Sequence, residues 1–335
     1  MRMLGMATFA HLGWARQASS NTATGKANTV LGSKPAKDLG TTLMHEHVVV
    51  DFRGADAAPS QHYDREEAFR IALPHLKELR ATGCRTLVDC TPAFLGRDVI
   101  LLKRLSQSSS LNIVTNTGFY AAGGNKYLPR FVFDETADQL AARWVGEFRD
   151  GIEGTGVRPG IIKIGMDKGP LSDVSSKLAR AAARTHVQTG LTIASHSGDG
   201  VAVLEQLEIL REEGVHASAF VWVHAQNELD RDIYFKVTKQ GAWIEFDGIN
   251  AKTAEEHSKL VQTMARSGFL EYTLISQDSG WYHIGEPGGG EFHSYSYLFA
   301  EFIPILKRAG IAEDEIGTLL VENPKRALSI HVKRI

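Results

Sequence analysis

The segment Met44-His45-Glu46-His47 places two imidazoles two residues apart in an apolar stretch of the chain. Residues i and i+2 of a β-strand point to the same side, so His45 and His47 would share one face. Imidazole is a common ligand of zinc and of other divalent transition metals. A buried structural pair, or chance among the 13 histidines, explains an isolated His-x-His motif equally well. The pair alone therefore leaves both interpretations open.

Four further polar residues lie within or directly after short apolar runs: Lys163, His196, His224 and Asp278. A buried lysine without a partner is costly, so Lys163 needs either a charge partner or a chemical change. Imidazole and carboxylate ligands without thiolate suit Zn²⁺, and also Mn²⁺, Fe²⁺, Co²⁺ or Ni²⁺. A set of five or six ligands can hold two ions, which lower the pKa of a bound water toward neutrality. Asp278 would then be both a ligand and the acceptor of the proton.

These residues can meet only if the fold brings several strands together. From about Leu39 onward, short runs rich in β-branched residues alternate with longer amphipathic segments. The runs predict eight strands: Thr42–Glu46, Arg85–Asp89, Ile113–Gly118, Gly160–Ile164, Leu191–Ser195, Ala219–Val223, Ala242–Phe246 and Tyr272–Ser276. The amphipathic segments predict helices that include Arg65–Ala81, Glu135–Gly151, Ser175–Thr189, Val201–Glu213, Asp230–Gln240 and Ala254–Ser267.

Alternating strands and helices favour an α/β fold with a parallel sheet. A closed barrel and an open doubly wound sheet both fit eight strands. No G-x-G-x-x-G motif follows the first strand, which removes the main support for a dinucleotide-binding sheet. The metal-competent residues fall at the carboxyl ends of predicted strands, where a barrel assembles its active site. We therefore predict a single-domain (β/α)₈ TIM barrel over residues 31–335, after an N-terminal arm over residues 1–30.

The composition disfavours several functions. Thirty-seven Lys and Arg nearly balance 39 Asp and Glu, so the chain lacks the basic surplus typical of nucleic-acid-binding proteins. No charge-free run is apolar enough to span a bilayer. Cys84 and Cys90 are too few for a disulfide framework and are typical of free thiols in a reducing compartment. We expect a cytoplasmic protein with a small-molecule substrate, although Leu4–Trp14 is also compatible with a weak export signal, an N-terminal arm or a cloning remnant.

Taken together, the motifs resemble the phosphotriesterase family of the amidohydrolase superfamily. The similar segments are Thr42-Leu43-Met44-His45-Glu46-His47, Gly160-Ile161-Ile162-Lys163-Ile164-Gly165, Ala194-Ser195-His196-Ser197, Val223-His224-Ala225 and Ser276-Gln277-Asp278-Ser279. Gly118-Phe119-Tyr120, Phe302-Ile303-Pro304 and Glu322-Asn323-Pro324-Lys325-Arg326 are also similar. Each motif is short, but their order and their placement at strand ends are specific together, and they span roughly residues 30–331.

The resemblance implies a binuclear metal centre, with zinc as the expected metal. It implies that Lys163 is carboxylated by CO₂ to N6-carboxylysine and bridges the two ions. Five residues would complete the ligand set: His45, His47 and Asp278 for the more buried ion, and His196 and His224 for the more exposed one. Tyr120 would lie near the bridging position and orient the substrate oxygen. The resemblance also implies a homodimer.

The sequence departs from the family members that hydrolyse organophosphates. Those members pass the proton from the metal-bound aspartate through a histidine after strand 7 to an acidic residue after strand 6. Here Gly248 replaces the histidine, and Gln226 and Asn227 stand in place of the acid. Lactonase-type members often place a basic residue after strand 7, and none is evident in Gly248-Ile249-Asn250. We therefore expect organophosphate hydrolysis to be at most a promiscuous activity.

The loop that starts at Trp281 is predicted to determine specificity, with Trp281 as an apolar wall and His283 as a partial replacement for the relay. A glycine-rich surface loop is an equally compatible interpretation. Three functions compete: hydrolysis of a carboxylic ester, above all a lactone; hydrolysis of an amide such as an N-acyl amino compound; and ligand binding without turnover. The full ligand set favours the hydrolases, and the aromatic rather than basic rim favours the lactone.

Overall fold

The structure, a computed structural model, describes residues 25–57 and 63–335. Its strands are β1 (Lys26–Thr29), β2 (Gly32–Pro35), β3 (Thr42–Val50), β4 (Thr86–Asp89), β5 (Asn112–Val114), β6 (Asn116–Thr117), β7 (Ile161–Met166), β8 (Thr192–Ser197), β9 (Phe220–Val223), β10 (Trp243–Phe246), β11 (Thr273–Ile275) and β12 (Gly280–His283). Its α-helices are α1 (Arg65–Ala81), α2 (Val99–Ser109), α3 (Phe131–Asp134), α4 (Ala137–Asp150), α5 (Asp173–Thr189), α6 (Gly200–Glu212), α7 (Arg231–Lys239), α8 (Ala254–Arg266), α9 (Ile303–Arg308), α10 (Glu313–Gly317) and α11 (Asn323–Leu328).

Strands β3 through β12 form a closed ring of parallel strands. One sheet runs β6-β7-β8-β9-β10-β11 and the other runs β5-β4-β3-β12. Only Thr115 separates β5 from β6, which links the sheets on one side. On the other side, Asp278 N donates to His45 O (3.0 Å) and His47 N donates to Ser279 O (2.9 Å). The predicted (β/α)₈ barrel is therefore confirmed.

The predicted end of the first barrel strand is wrong by four residues. β3 continues through Val48-Val49-Val50, because this β-branched run pairs in register with β12: Val49 lies opposite Tyr282. His45 and His47 consequently lie inside the strand rather than at its end. His196 likewise lies within β8 rather than after it.

Three elements in the first third of the chain were not predicted: the strands β1 and β2 and the helix α2. β1 and β2 form an antiparallel hairpin in which Lys26 lies opposite Pro35. The expected boundary at residue 30 falls within this hairpin, whereas the export-like stretch Leu4–Trp14 lies outside the described residues. Helix α2 begins after Asp98, whose side chain caps it by accepting from Leu101 N (2.9 Å).

In the described part of the chain, no helix is long and apolar enough to span a membrane.

The interior of the barrel has two layers of different chemistry. Its amino end is filled by an apolar plug of side chains from nearly every strand, closed by the last helix: Met44, Val88, Val114, Ile161, Ala194, Val221, Trp243, Leu274, Ala327 and Leu328. Side chains two residues apart share a face of a strand. Lys163 and Glu245 therefore lie one inward-facing position beyond Ile161 and Trp243, toward the carboxyl end. The site is built on this second layer.

Candidate metal centre

His45 and His47, inside β3, and Asp278, between β11 and β12, bring three candidate ligand atoms together. The two histidine Nε2 atoms are 3.3 Å apart, and Asp278 Oδ1 lies 3.2 Å from His47 Nε2 and 3.8 Å from His45 Nε2. Asp278 Oδ1 is buried and has no hydrogen-bond donor among the described residues. Burial alone would raise the pKa of Asp278, but the imidazoles of His47 and His45 lower it well below its usual range. An anionic oxygen with two imidazole nitrogens suits a divalent cation.

Glu46 fixes the position of Asp278 although it points away from the ligand pair. Its carboxylate accepts from Ser276 Oγ (2.7 Å), Gln277 N (3.0 Å) and Ser279 N (2.7 Å). Asp278 itself has a φ of 52°, in the left-handed region that is unfavourable for most residues. Burial raises the pKa of Glu46 to about 8, whereas these donors act in the opposite direction. The three bonds hold the segment that carries Asp278 against β3.

Lys163 lies within β7 and is 1% exposed. Among the described residues, no carboxylate forms an ion pair with its ammonium group and no acceptor takes a hydrogen bond from it. The side chain nevertheless lines the same cavity as the candidate ligands. A buried ammonium group without such a partner is costly.

His196 and His224 form the opposite side of the site. Their rings are 4.4 Å apart and nearly perpendicular, and the His224 ring also lies 5.0 Å from that of His45. Burial and the nearby charges of His224 and Lys163 lower the pKa of His196, which favours the neutral imidazole that coordinates metals. His224 follows β9 with a φ of 64° and directs its Nδ1 to Asp247 Oδ1, at 2.5 Å. This hydrogen bond leaves Nε2 of His224 for coordination.

The sequence reasoning missed two carboxylates at the carboxyl end of β10: Glu245 within the strand and Asp247 directly after it. Asp247 accepts from His224 N (3.1 Å) and from Gln226 Nε2 (2.7 Å), in addition to His224 Nδ1. Glu245 is 1% exposed, and its Oε1 lies 3.3 Å from His45 Nδ1. The signal that could have revealed them was the spacing in Glu245-Phe246-Asp247, which repeats the i, i+2 pattern of the histidine pair.

The predicted gap in the proton relay has a structural counterpart. Gly248 adopts a φ of 68° and offers no side chain. Gln226 forms two hydrogen bonds with Asp247, because its Oε1 also accepts from Asp247 N (3.2 Å). Gln226 after β9 and Asp247 after β10 hold the candidate ligand His224 in place.

One cavity of about 130 Å³ unites these groups. All six residues predicted as metal ligands line it, together with Tyr120 and Trp281. The rest of its lining is apolar or weakly polar: Val50, Phe52, Cys90 and Leu95. In the described part of the chain, no lysine or arginine other than Lys163 lines the cavity.

Tyr120 and Trp281 both line the cavity, Tyr120 beside His196 and Trp281 beside His47. The Tyr120 ring lies edge-on to His196 at 5.2 Å and covers Gly165, where a Cβ atom would come within 2.4 Å of the ring. Glycine is therefore required at position 165. Burial raises the pKa of Tyr120, so the phenol stays protonated. Trp281 packs 5.7 Å from His47, and its buried Nε1 has no acceptor among the described residues.

His283 does not line the cavity. Its ring packs 5.5 Å from Phe52, and its Nδ1 lies 3.7 Å from Glu286 Oε1. Trp281 and His283 belong to strand β12, where a loop was predicted, and of these two predicted pocket residues only Trp281 lines the cavity.

Comparison with known proteins agrees with this geometry. The model of the phosphotriesterase family matches residues 25–328. The chain is 28% identical to the phosphotriesterase homology protein of Escherichia coli, over 86% of this chain and 97% of that protein. It is 28% identical to an aryldialkylphosphatase of Saccharolobus solfataricus, over 88% and 96% of the two chains. It is 25% identical to an N-acetyltaurine hydrolase of Dictyostelium discoideum, over 91% and 98%.

Proposed function

The chain belongs to the phosphotriesterase family of metal-dependent hydrolases, and on that premise we propose that it hydrolyses carboxylic esters, above all lactones. One observation is the main support for this proposal. Six metal-competent side chains and an apolar wall surround a single small cavity. Such a cavity suits an uncharged substrate with one polarised carbonyl group.

The donor set fits two divalent ions, for which we propose zinc. His45, His47 and Asp278 would hold one ion, and His196 and His224 the other. Lys163, carboxylated to N6-carboxylysine, would bridge them, which replaces a buried cation that lacks a partner with an anionic ligand. The orphaned oxygen of Asp278 supports the same assignment. When bound, the ions would supply a nucleophilic water and polarise the substrate carbonyl.

The protein groups would bind, orient and move a proton. The carboxylate of Asp278 would accept the proton, since its low pKa keeps it ionised until the reaction. The protonated Tyr120 hydroxyl would donate to the substrate oxygen. Trp281 Nε1, which has no partner among the described residues, would donate to a second polar atom of the substrate. Phe52 and Leu95 would cover the apolar part of the substrate and exclude water.

Amide hydrolysis is the second candidate. It is favoured by relatives named N-acetyltaurine hydrolase, since the same groups serve attack on an amide carbonyl. Organophosphate hydrolysis is at most promiscuous in our proposal, because Gly248 and Gln226 provide no proton relay.

The test is turnover by enzyme reconstituted with Zn²⁺ or Mn²⁺ in the presence of bicarbonate. Lactones of increasing chain length, N-acyl amides with matched acyl groups and an aryl dialkyl phosphate are compared by kcat/KM. We expect the lactones to be the best substrates and Asp278→Asn to abolish their turnover. A higher kcat/KM for the amides would replace the first candidate with the second. Full metal content without turnover of any substrate would overturn both.

A further inference from the structure

Asp247 contacts histidines from both sides of the candidate metal centre. Its Oδ1 accepts from His224 Nδ1 and from Gln226 Nε2. Its Oδ2 accepts from His224 N, and the same oxygen lies 3.4 Å from Nδ1 of His45. His224 is a candidate ligand of one metal position and His45 of the other. One fully buried carboxylate therefore reaches both positions.

Glu245 differs from Asp247 because it approaches a histidine of only one of the two candidate metal positions. Its Oε1 lies 3.3 Å from His45 Nδ1, and both atoms are buried without a hydrogen bond. The His45 imidazole thus lies between two carboxylates, at a slightly greater distance than a hydrogen bond requires. In the described part of the chain, no hydrogen bond or ion pair joins Glu245 to His196 or His224.

From this arrangement we propose that Asp247 is a positioning residue that orients one ligand of each metal position, so that occupancy of the two positions is linked. The inference rests on the binuclear centre of the proposed function. A carboxylate behind a histidine fixes the orientation of its ring and raises the basicity of the coordinating nitrogen. Because the two histidines share one carboxylate, coordination of an ion by the first changes the interaction that Asp247 offers to the second. Such a link is reciprocal between the two ions.

Neighbouring contacts immobilise Asp247 for this role. Gln226 binds both its side chain and its backbone N–H. His257, buried behind it, places Nε2 2.7 Å from Asp247 O and Nδ1 2.9 Å from Thr253 O. Asparagine cannot replace the carboxylate of Asp247. Each of its two oxygens faces two donor atoms, and in asparagine an amide nitrogen, itself a donor, would take the place of one oxygen.

The test measures metal binding rather than activity. Wild type, Asp247→Asn and Glu245→Gln are demetallated, equilibrated with graded free Co²⁺ in the presence of bicarbonate, and analysed for bound metal and visible absorption. Crystals of the loaded proteins then give the anomalous occupancy of each position. For Asp247→Asn we expect about tenfold to 100-fold weaker binding at both positions and loss of the link between them. Glu245→Gln should weaken only the position held by His45 and His47.

Weakening of only the His196–His224 position by Asp247→Asn, or equal profiles for the two variants, would overturn the inference. Fewer than two ions in the wild type would instead overturn the proposed binuclear function, so the two failures are distinguishable. If Asp247→Asn does not fold, Gln226→Ala is the second variant. It keeps the carboxylate but removes its support, and smaller losses at both positions are expected. A loss at one position, or none, would again contradict the inference.

Discussion

The two ends of the barrel interior are built from the same strands but hold opposite chemistry. Toward the amino end, Ile161 and Trp243 belong to a closed apolar plug. One inward-facing position further along the same strands, Lys163 and Glu245 face the candidate site. Both pairs are almost completely buried. Burial therefore does not separate the two layers; what separates them is whether each buried group has a suitable partner.

In the plug, each side chain gains from losing contact with water, by about 1.5–3 kcal/mol for a large apolar residue. In the site, buried charges oppose folding unless they are paired or coordinate a metal. Lys163 has no ion-pair partner among the described residues, and the buried oxygens Asp278 Oδ1 and Glu245 Oε1 accept no hydrogen bond there. The plug therefore stabilises the fold, whereas the buried polar groups of the site, which are the candidate ligands, lower the stability of the fold.

The largest expected effect comes from Lys163→Met, which keeps the bulk of the side chain but removes its nitrogen. Loss of the bridging ligand should lower kcat/KM by roughly 10³-fold or more, because a metal centre supplies several kcal/mol of transition-state stabilisation. Metal content should fall in parallel. The metal-free variant should be at least as stable as metal-free wild type, since an unpaired buried cation is gone. Reduced stability with retained metal would contradict the contrast between the two layers.

Ile161→Ala is the matched change on the same strand, one inward-facing position toward the amino end, within the plug. It should lower the free energy of unfolding by about 2–5 kcal/mol, because it leaves a cavity in a packed core. The kcat of the folded enzyme should change little, since Ile161 contributes to the plug and does not line the cavity. Chemical denaturation and metal analysis measure the two effects separately. A large loss of kcat with unchanged stability would show that the layers are not distinct.

A buried cation also lies beside the plug, and its titration tests that end of the barrel. The Nζ atom of Lys333 donates to Ser218 O (2.9 Å), and burial, with a smaller effect of Arg326, lowers the pKa of Lys333 to about 8. Between pH 8 and about 10.5 the unfolded chain binds this proton and the folded chain does not. Stability should therefore rise with pH in this window, by about 3 kcal/mol at most. Urea denaturation of wild type and Lys333→Met isolates this contribution, which the variant should lack.

The sequence was informative where one residue type in an unusual place carried the signal. His45 and His47 share a strand face by spacing alone, and a lysine inside the apolar run Ile161–Ile164 is conspicuous without any structure. The regular alternation of runs predicted a parallel α/β fold, and the metal-competent residues at the ends of predicted strands favoured the barrel over an open sheet. Asp247 was missed because its role depends on Gln226 and His224, which reach it only after the loop following β9 has folded. Strand β12 was missed for a similar reason: it exists because β3 continues to Val50 and pairs with it.

Glu46→Gln tests whether the strained Asp278 depends on its anchor on β3. Glutamine has one acceptor oxygen for three donors, and its amide group would face backbone N–H groups. We expect kcat/KM to fall by about tenfold to 100-fold, with weaker binding of the metal held by Asp278. Ser276→Ala removes one of the three bonds and should have a smaller effect in the same direction. Equal effects of the two variants would show that the three bonds do not act together.

The smallest effect is expected for His283→Asn on the rim. His283 contacts Phe52 and Glu286 and does not line the cavity, so it is not in a position to receive a proton from Asp278. We expect kcat to change by less than about threefold and the pH profile of kcat to be unaltered, whereas KM can shift because the Phe52 wall is disturbed. Trp281→Phe is the control on the same strand, β12: it keeps the apolar wall but removes the unpartnered Nε1 donor, so it should affect kcat/KM more than His283→Asn. Loss of one limb of the pH profile of kcat in His283→Asn would instead show that His283 takes part in proton transfer and belongs to the site rather than to its rim.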